Sequence, residues 1–327
     1  MNTPPKDAPL SPDIAAEADS PEETTNRNAR VWNVLGAVVS VGLVAAILLQ
    51  LGGATTNALR MILRLPLAVW PVLLLLYLVQ PLGDLVIYRR LWNLPVAGFE
   101  ALLRKTAINE VVVGYSGEAY LYVWARRMAG SVATPFRAIK DVNILSALLG
   151  NLFTVGLAAI SATQLKTLDL AQRLGPALWS GLVPVAASVG LLAFGSRVFS
   201  LCPKQLAFTA AIHTVRLIAA LSLTVLVWRM SLPQVAPGVW LVLLAVRYLV
   251  SRIPFLSNKD LVFGNLMLLV LGAHSSVAEL LAALALVTLF MHLTVIVGLG
   301  IFDLVRGLRT PADRDAARPG STGTSAP

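Results

Sequence analysis

The chain carries apolar runs about as long as a bilayer is thick. Val31–Leu51, Leu65–Ile87, Val142–Thr163, Leu174–Gly195, Leu206–Val227, Val235–Val250 and Ala278–Phe302 hold few charges or none. In hydrocarbon every backbone N–H and C=O must be paired, and a helix does this within itself. About 20 apolar residues take such a helix across a core ~30 Å thick. Of the 327 residues, 57% are hydrophobic and 13% charged, against roughly 25% charged in a soluble domain. These proportions exclude a water-soluble globule, a disordered chain and a collagen-like repeat. The expected fold is all-α: a polytopic helical membrane protein.

The two ends differ from the body. Residues 1–30 are rich in Pro, Ala, Ser, Thr and acids and show no apolar period; they should be a disordered tail. Residues 306–327 read the same way, leaving 31–305 as the membrane domain. Val31–Leu51 is too long for a signal-peptide core, follows an acidic tail, and precedes no clear cleavage site, so it reads as a retained span.

Two apolar stretches are irregular. Ala107–Trp124 contains Glu110, Glu118 and the break Gly114-Tyr115-Ser116-Gly117. Leu261–Gly272 follows Pro254 and the polar turn Ser257-Asn258-Lys259-Asp260. Twelve residues rise only ~18 Å as a helix, short of a full crossing. Charge asymmetry orients the chain. Arg89, Arg90, Arg104 and Lys105 precede the first irregular stretch, and Arg126, Arg127, Arg137 and Lys140 follow it. A segment that dips in and returns keeps all of these on the cytoplasmic side, as the positive-inside bias favours. Counting Leu261–Gly272 as a tilted or broken crossing gives about eight transmembrane helices, one or two re-entrant or broken elements, and both termini cytoplasmic. Such a chain is expected to be multi-pass in its membrane.

Ionisable groups at membrane depth cost several kcal/mol, so they face a cavity or a partner. Arg216 lies mid-span with His213 one turn earlier on the same face; the pair reads either as an anion-binding group or as part of an ion pair with Asp84 or Glu118. Glu110 and Glu118 flank the first break, and Lys259 and Asp260 stand at the second. Broken helices expose backbone groups that are tolerated only where they line a cavity or are buried in protein, and in transporters they often mark the substrate site. Glu118 precedes Gly130 by the same twelve positions that separate Asp260 from Gly272, which suggests two related elements in two halves. The substrate-binding candidates are therefore Glu110, Glu118, His213, Arg216, Lys259 and Asp260. His292 alone on an apolar helix reads as a hydrogen-bonded packing residue, and the tryptophans as interface anchors.

Other chemistries lack their residues. The sequence has no P-loop, HExxH or GxSxG motif and one cysteine, Cys202, so no metal or other cofactor and no catalytic residue is expected. The net charge of +9 is that of cytoplasmic loops. No basic run with interleaved aromatics accompanies it, so nucleic acid is not an expected partner.

The stretch Asn109-Glu110-Val111-Val112-Val113-Gly114-Tyr115-Ser116-Gly117-Glu118-Ala119-Tyr120-Leu121-Tyr122 resembles the Asn…Pro-x-x-x-Gly-Glu signature of the lysylphosphatidylglycerol synthase transmembrane (flippase-like) family. Ile253-Pro254 through Gly272 resembles the tail of a paired signature. Val111-Val112-Val113 stand where that family has Pro, and Ser257-Asn258-Lys259-Asp260 replaces its glycine-rich turn. The likeness covers roughly residues 31–305, without the soluble synthase domain. It implies a translocator of phospholipid or another envelope lipid, with Glu118 and Asp260 at the two breaks and membrane lipids as partners. The other reading is a non-transporting scaffold for an envelope lipid-synthesis enzyme; a membrane-embedded lipid-modifying enzyme is a distant third.

Overall fold

Every element in the computed structural model is helical among the residues it describes, which are 55–112, 114–129, 133–167, 199–253, 256–272 and 274–316. In chain order these are α1 Thr55–Arg64, α2 Val69–Trp92, α3 Phe99–Val111, α4 Ser116–Ala129, α5 Ala133–Thr167, α6 Pro203–Ser231, α7 Pro237–Ser251, α8 Lys259–Leu271 and α9 Ser276–Ala316. The expected spans Val31–Leu51 and Leu174–Gly195, and the N-terminal tail, lie outside the described residues. All described residues belong to one unit, Leu51–Pro327.

Among the described residues four helices are long and apolar enough to cross a membrane: Val69–Trp92, Phe136–Gln164, Pro203–Ser231 and Ser276–Asp303. Their apolar faces also point outward. Leu152 on α5, Val215 on α6 and Phe290 on α9 are all exposed. Water would penalise so much contiguous apolar surface, whereas lipid tails solvate it. These are the features of a helical membrane protein.

The remaining helices explain the two irregular stretches. Helices α3 and α4 hold 13 and 14 residues, and α7 and α8 hold 15 and 13. Each rises about 20 Å, so none reaches across a ~30 Å core. They pack as two helical hairpins. In the first, one arm ends at Val111 and the other opens at Ser116, within the break expected at Gly114–Gly117. In the second, one arm ends at Ser251 and the other opens at Lys259. Val235–Val250 and Leu261–Gly272, expected as two separate crossings, are therefore its two arms. Left-handed backbone marks both turns, at Tyr115 (φ 76) and Asn258 (φ 49).

The hairpins occupy opposite ends of the helix framework. One hydrophobic core joins Val69 and Leu73 of α2 to Val227 and Trp228 of α6, the arms α7 and α8, and Leu280, Leu284 and Val287 of α9. A second core joins Ile87 and Tyr88 at the other end of α2 to Leu102 and Leu121 of the first hairpin and Val142 of α5, with Ile212 of α6 against it. The first arm of each hairpin also leans on the long helix that follows the other hairpin: α3 on α9, and α7 on α5. Two units of helix, hairpin and helix (α2 to α5, α6 to α9) are thus related with their ends reversed, the arrangement of an inverted repeat.

Several devices hold this frame. Asp141 of α5 is fully buried and accepts hydrogen bonds from the Ser200 and Leu201 backbone N–H groups, at 2.6 and 2.7 Å. Arg104 of α3 pairs with Asp303 of α9 at 2.5 Å and donates to the Leu299 carbonyl at 2.9 Å. Asn57 ties α1 to Glu279 of α9 at 3.1 Å. Trp228 and Trp240, expected at the membrane interface, instead pack ring to ring in the core, 5.5 Å apart; three helices meet there and need a large side chain to fill the gap. Helix α9 continues to Ala316, through residues 306–316 that were expected to be irregular, since extending an existing helix needs no new nucleus.

Candidate functional site

The hairpin turns meet. The Asn258 backbone N–H donates to the Glu110 carbonyl oxygen at 2.7 Å. Around this joint, between the two hydrophobic cores, lies a cavity of about 430 Å3 lined by both turns and by α2, α5, α6 and α9. Its position follows from chain length: four arms of about 20 Å, entering from two ends, leave their turns and any charges on them in the middle.

Five of the six sequence candidates, Glu110, Glu118, Arg216, Lys259 and Asp260, line this cavity. The sixth, His213, is buried behind it. The structure joins Arg216 to Asp84, the ion-pair reading: Nη1 lies 2.7 Å from Asp84 Oδ1, and Nη2 donates to Ser146 Oγ at 3.0 Å. Gly83 makes this possible, since a Cβ there would come 3.0 Å from Arg216 Cδ as the stem crosses α2. The other oxygen of Asp84 takes Lys105 Nζ at 2.7 Å, and Lys105 also reaches Glu118 at 3.4 Å.

Lys105 is a correction to the charge reading. It is 3% exposed rather than at the cytoplasmic surface with Arg104. Two carboxylates offset the cost of burying it. Glu118 correspondingly pairs with Lys105, and its second oxygen, Oε2, is buried without a hydrogen-bond partner among the described residues. Asp260 pairs with Arg247, through Nε at 2.9 Å and Nη2 at 2.7 Å. Glu110 has Lys259, Asp260 and Arg247 as charged neighbours.

The two ion pairs repeat one pattern. Lys105 precedes Glu118 by thirteen residues, and Arg247 precedes Asp260 by thirteen. In each hairpin a cation on the first arm holds the acid that opens the second arm. This is a second matched spacing beside the one between each acid and a following glycine, of which Gly130 lies outside the described residues. Gly117 fixes the first turn: its N–H donates to Asn109 Oδ1 at 2.7 Å, and a Cβ would overlap the Lys105 carbonyl oxygen. The Asn and Gly of the sequence signature therefore lock the arms together.

Pro81 interrupts α2 beside the cavity; without an N–H it cannot bond the carbonyl four residues back, that of Tyr77. The Tyr77 side chain bonds His292 Nδ1 at 3.1 Å, so His292 is the hydrogen-bonded packing histidine expected, although it also borders the cavity.

Arg252 was missed. Val235–Val250 read as a complete crossing, which would put the next residue at an interface. A 15-residue arm ends near mid-depth instead, and Arg252 lines the cavity. The shortness of that run was the available signal.

No family model, curated protein or solved structure matches the chain.

Proposed function

We propose that this protein is a lipid translocator of a bacterial inner membrane, handling a phospholipid or another envelope lipid. The observation that carries the reading is the charged cavity at the meeting point of two hairpins that enter from opposite ends. A lipid crossing a bilayer must take its polar headgroup through hydrocarbon, at a cost of several kcal/mol for a charge. A polar cavity at mid-depth lowers that cost. Reversed halves supply two similar conformations, each open to one side, by rocking of one unit against the other. The likeness of Asn109–Tyr122 to the flippase-like family signature supports the same reading.

With Val31–Leu51 and Leu174–Gly195 as spans, the chain crosses six times rather than eight and carries two re-entrant hairpins. An even count keeps both termini on one side, and the Arg-rich ends of α2 and α9 put that side in the cytoplasm. Lipid movement needs no bond made or broken, so the protein works without catalytic residues or a cofactor.

The test is lipid movement in proteoliposomes. Fluorescent lipid in the outer leaflet is bleached by dithionite, and exchange between leaflets is followed for the wild type and Glu118→Gln. The wild type accelerates exchange over empty vesicles. Glu118→Gln abolishes the acceleration while retaining its elution profile, because the unpartnered Oε2 is replaced by a neutral amide. Exchange equal in loaded and empty vesicles overturns the reading and favours a scaffold, to be sought by its co-purifying enzyme.

A further inference from the structure

The cavity ions pair off unevenly. Asp84 and Glu118 stand against Lys105 and Arg216 and Asp260 against Arg247, while Glu110 has Lys259 within electrostatic reach but not within ion-pair distance, so among these described residues five cations face four acids. Arg252 is left over. Among the described residues its guanidinium has no carboxylate within ion-pair distance; Nε and Nη2 donate only to Ser251 Oγ, at 3.2 and 3.1 Å. Among the described residues its electrostatic neighbours are the neutral phenols of Tyr248 and Tyr115 and the cation Arg216, and no acid. It caps the C-terminus of α7, where carbonyl dipoles favour a cation but supply only about half a charge.

The guanidinium is also held in place. It lies against Gly150 of α5, where a Cβ would overlap Nη1. Asn143 and Asn151, which can donate hydrogen bonds, line the same cavity. A guanidinium presents several donors in a fixed plane that suits two oxygens of one phosphate.

We propose that Arg252 is the anchor for a monoanionic phosphodiester headgroup in this cavity. One unpaired cation matches one negative charge, so an anionic glycerophospholipid is preferred over one with a cationic headgroup amine. The assignment deepens the translocator reading and rests on it for the lipid.

Purified full-length protein in detergent is titrated with dihexanoylphosphatidylglycerol, with dihexanoylphosphatidylcholine, and with tail-free glycerophosphoglycerol, beside Arg252→Gln, Gly150→Ala and Arg229→Gln. The phosphatidylglycerol binds saturably and more tightly than the choline lipid. Arg252→Gln weakens it at least about tenfold, as expected for a lost charge-assisted bond. Gly150→Ala weakens it as well while keeping every charge, because the guanidinium must move. Arg229→Gln, at the far end of α6, leaves it unchanged. If Arg252→Gln does not fold, Gly150→Ala alone decides. Equal affinity for the two lipids, or unchanged affinity in both variants, overturns the site. Equal binding of glycerophosphoglycerol keeps the anion site but assigns it a soluble phosphodiester. Specific binding without vesicle exchange keeps the site and overturns translocation.

Discussion

Arg247 holds Asp260 across the turn of the second hairpin, Nη2 to Oδ1 at 2.7 Å, and Lys105 holds Glu118 across the turn of the first at 3.4 Å. Both pairs join the arms of a hairpin too short to cross a bilayer. Each neutralises an acid at the start of its second arm, so the hairpins meet without facing carboxylate repulsion unshielded.

The four-charge cluster of Asp84, Lys105, Glu118 and Arg216 should be strongly coupled. Asp84→Asn leaves two cations around a neutral amide, at a cost of about 3–5 kcal/mol. Asp84→Asn with Lys105→Met removes one charge of each sign and should cost less than Asp84→Asn alone. Thermal unfolding in detergent checks this; a double variant less stable than the single would refute the coupling.

Gly117 and Gly156 should respond oppositely to alanine. A Cβ at Gly117 would overlap the Lys105 carbonyl oxygen, so Gly117→Ala should destabilise by about 1–3 kcal/mol. A Cβ at Gly156 meets nothing within 4 Å, so Gly156→Ala should be neutral or stabilise α5 by up to about 1 kcal/mol. Melting temperatures of the two variants decide it.

Cys202 is a native topology probe. It is exposed at the N-terminus of α6, the end of the frame that holds Ile212, Ile87 and Tyr88. With the Arg-rich ends cytoplasmic, a membrane-impermeant maleimide should label it in inverted vesicles and not in intact cells. Labelling of intact cells would reverse the proposed orientation.

Tyr77→Phe should cost about 0.5–1.5 kcal/mol, the worth of one hydrogen bond to His292. His292→Phe should largely remove that difference in a double-mutant cycle, because the partner is then gone.

Much of the frame was legible in the chain. Apolar runs predict the long helices because hydrocarbon admits only backbones that pair internally. The glycine break predicts the first hairpin. The second showed only in the shortness of Val235–Val250, because periodicity does not distinguish an apolar arm that turns back from one that goes through. Lys105 was misplaced for a related reason. It follows Arg104 in sequence, but neighbours on a helix point about 100° apart, so one reaches Asp303 and the other turns inward to Asp84.

By itself the sequence determined the solvent this protein folds in, its helical class, and five of the side chains that line the cavity, because the penalty for charge in lipid is local and large. Tertiary structure decided which charges cancel among the described residues and that Arg252 remains. Asp84 and Arg216 are separated by 132 positions; Asn258 and Glu110 meet only because two hairpins approach from opposite ends. Electrostatic energy depends on distances of a few ångströms, and packing alone sets those distances.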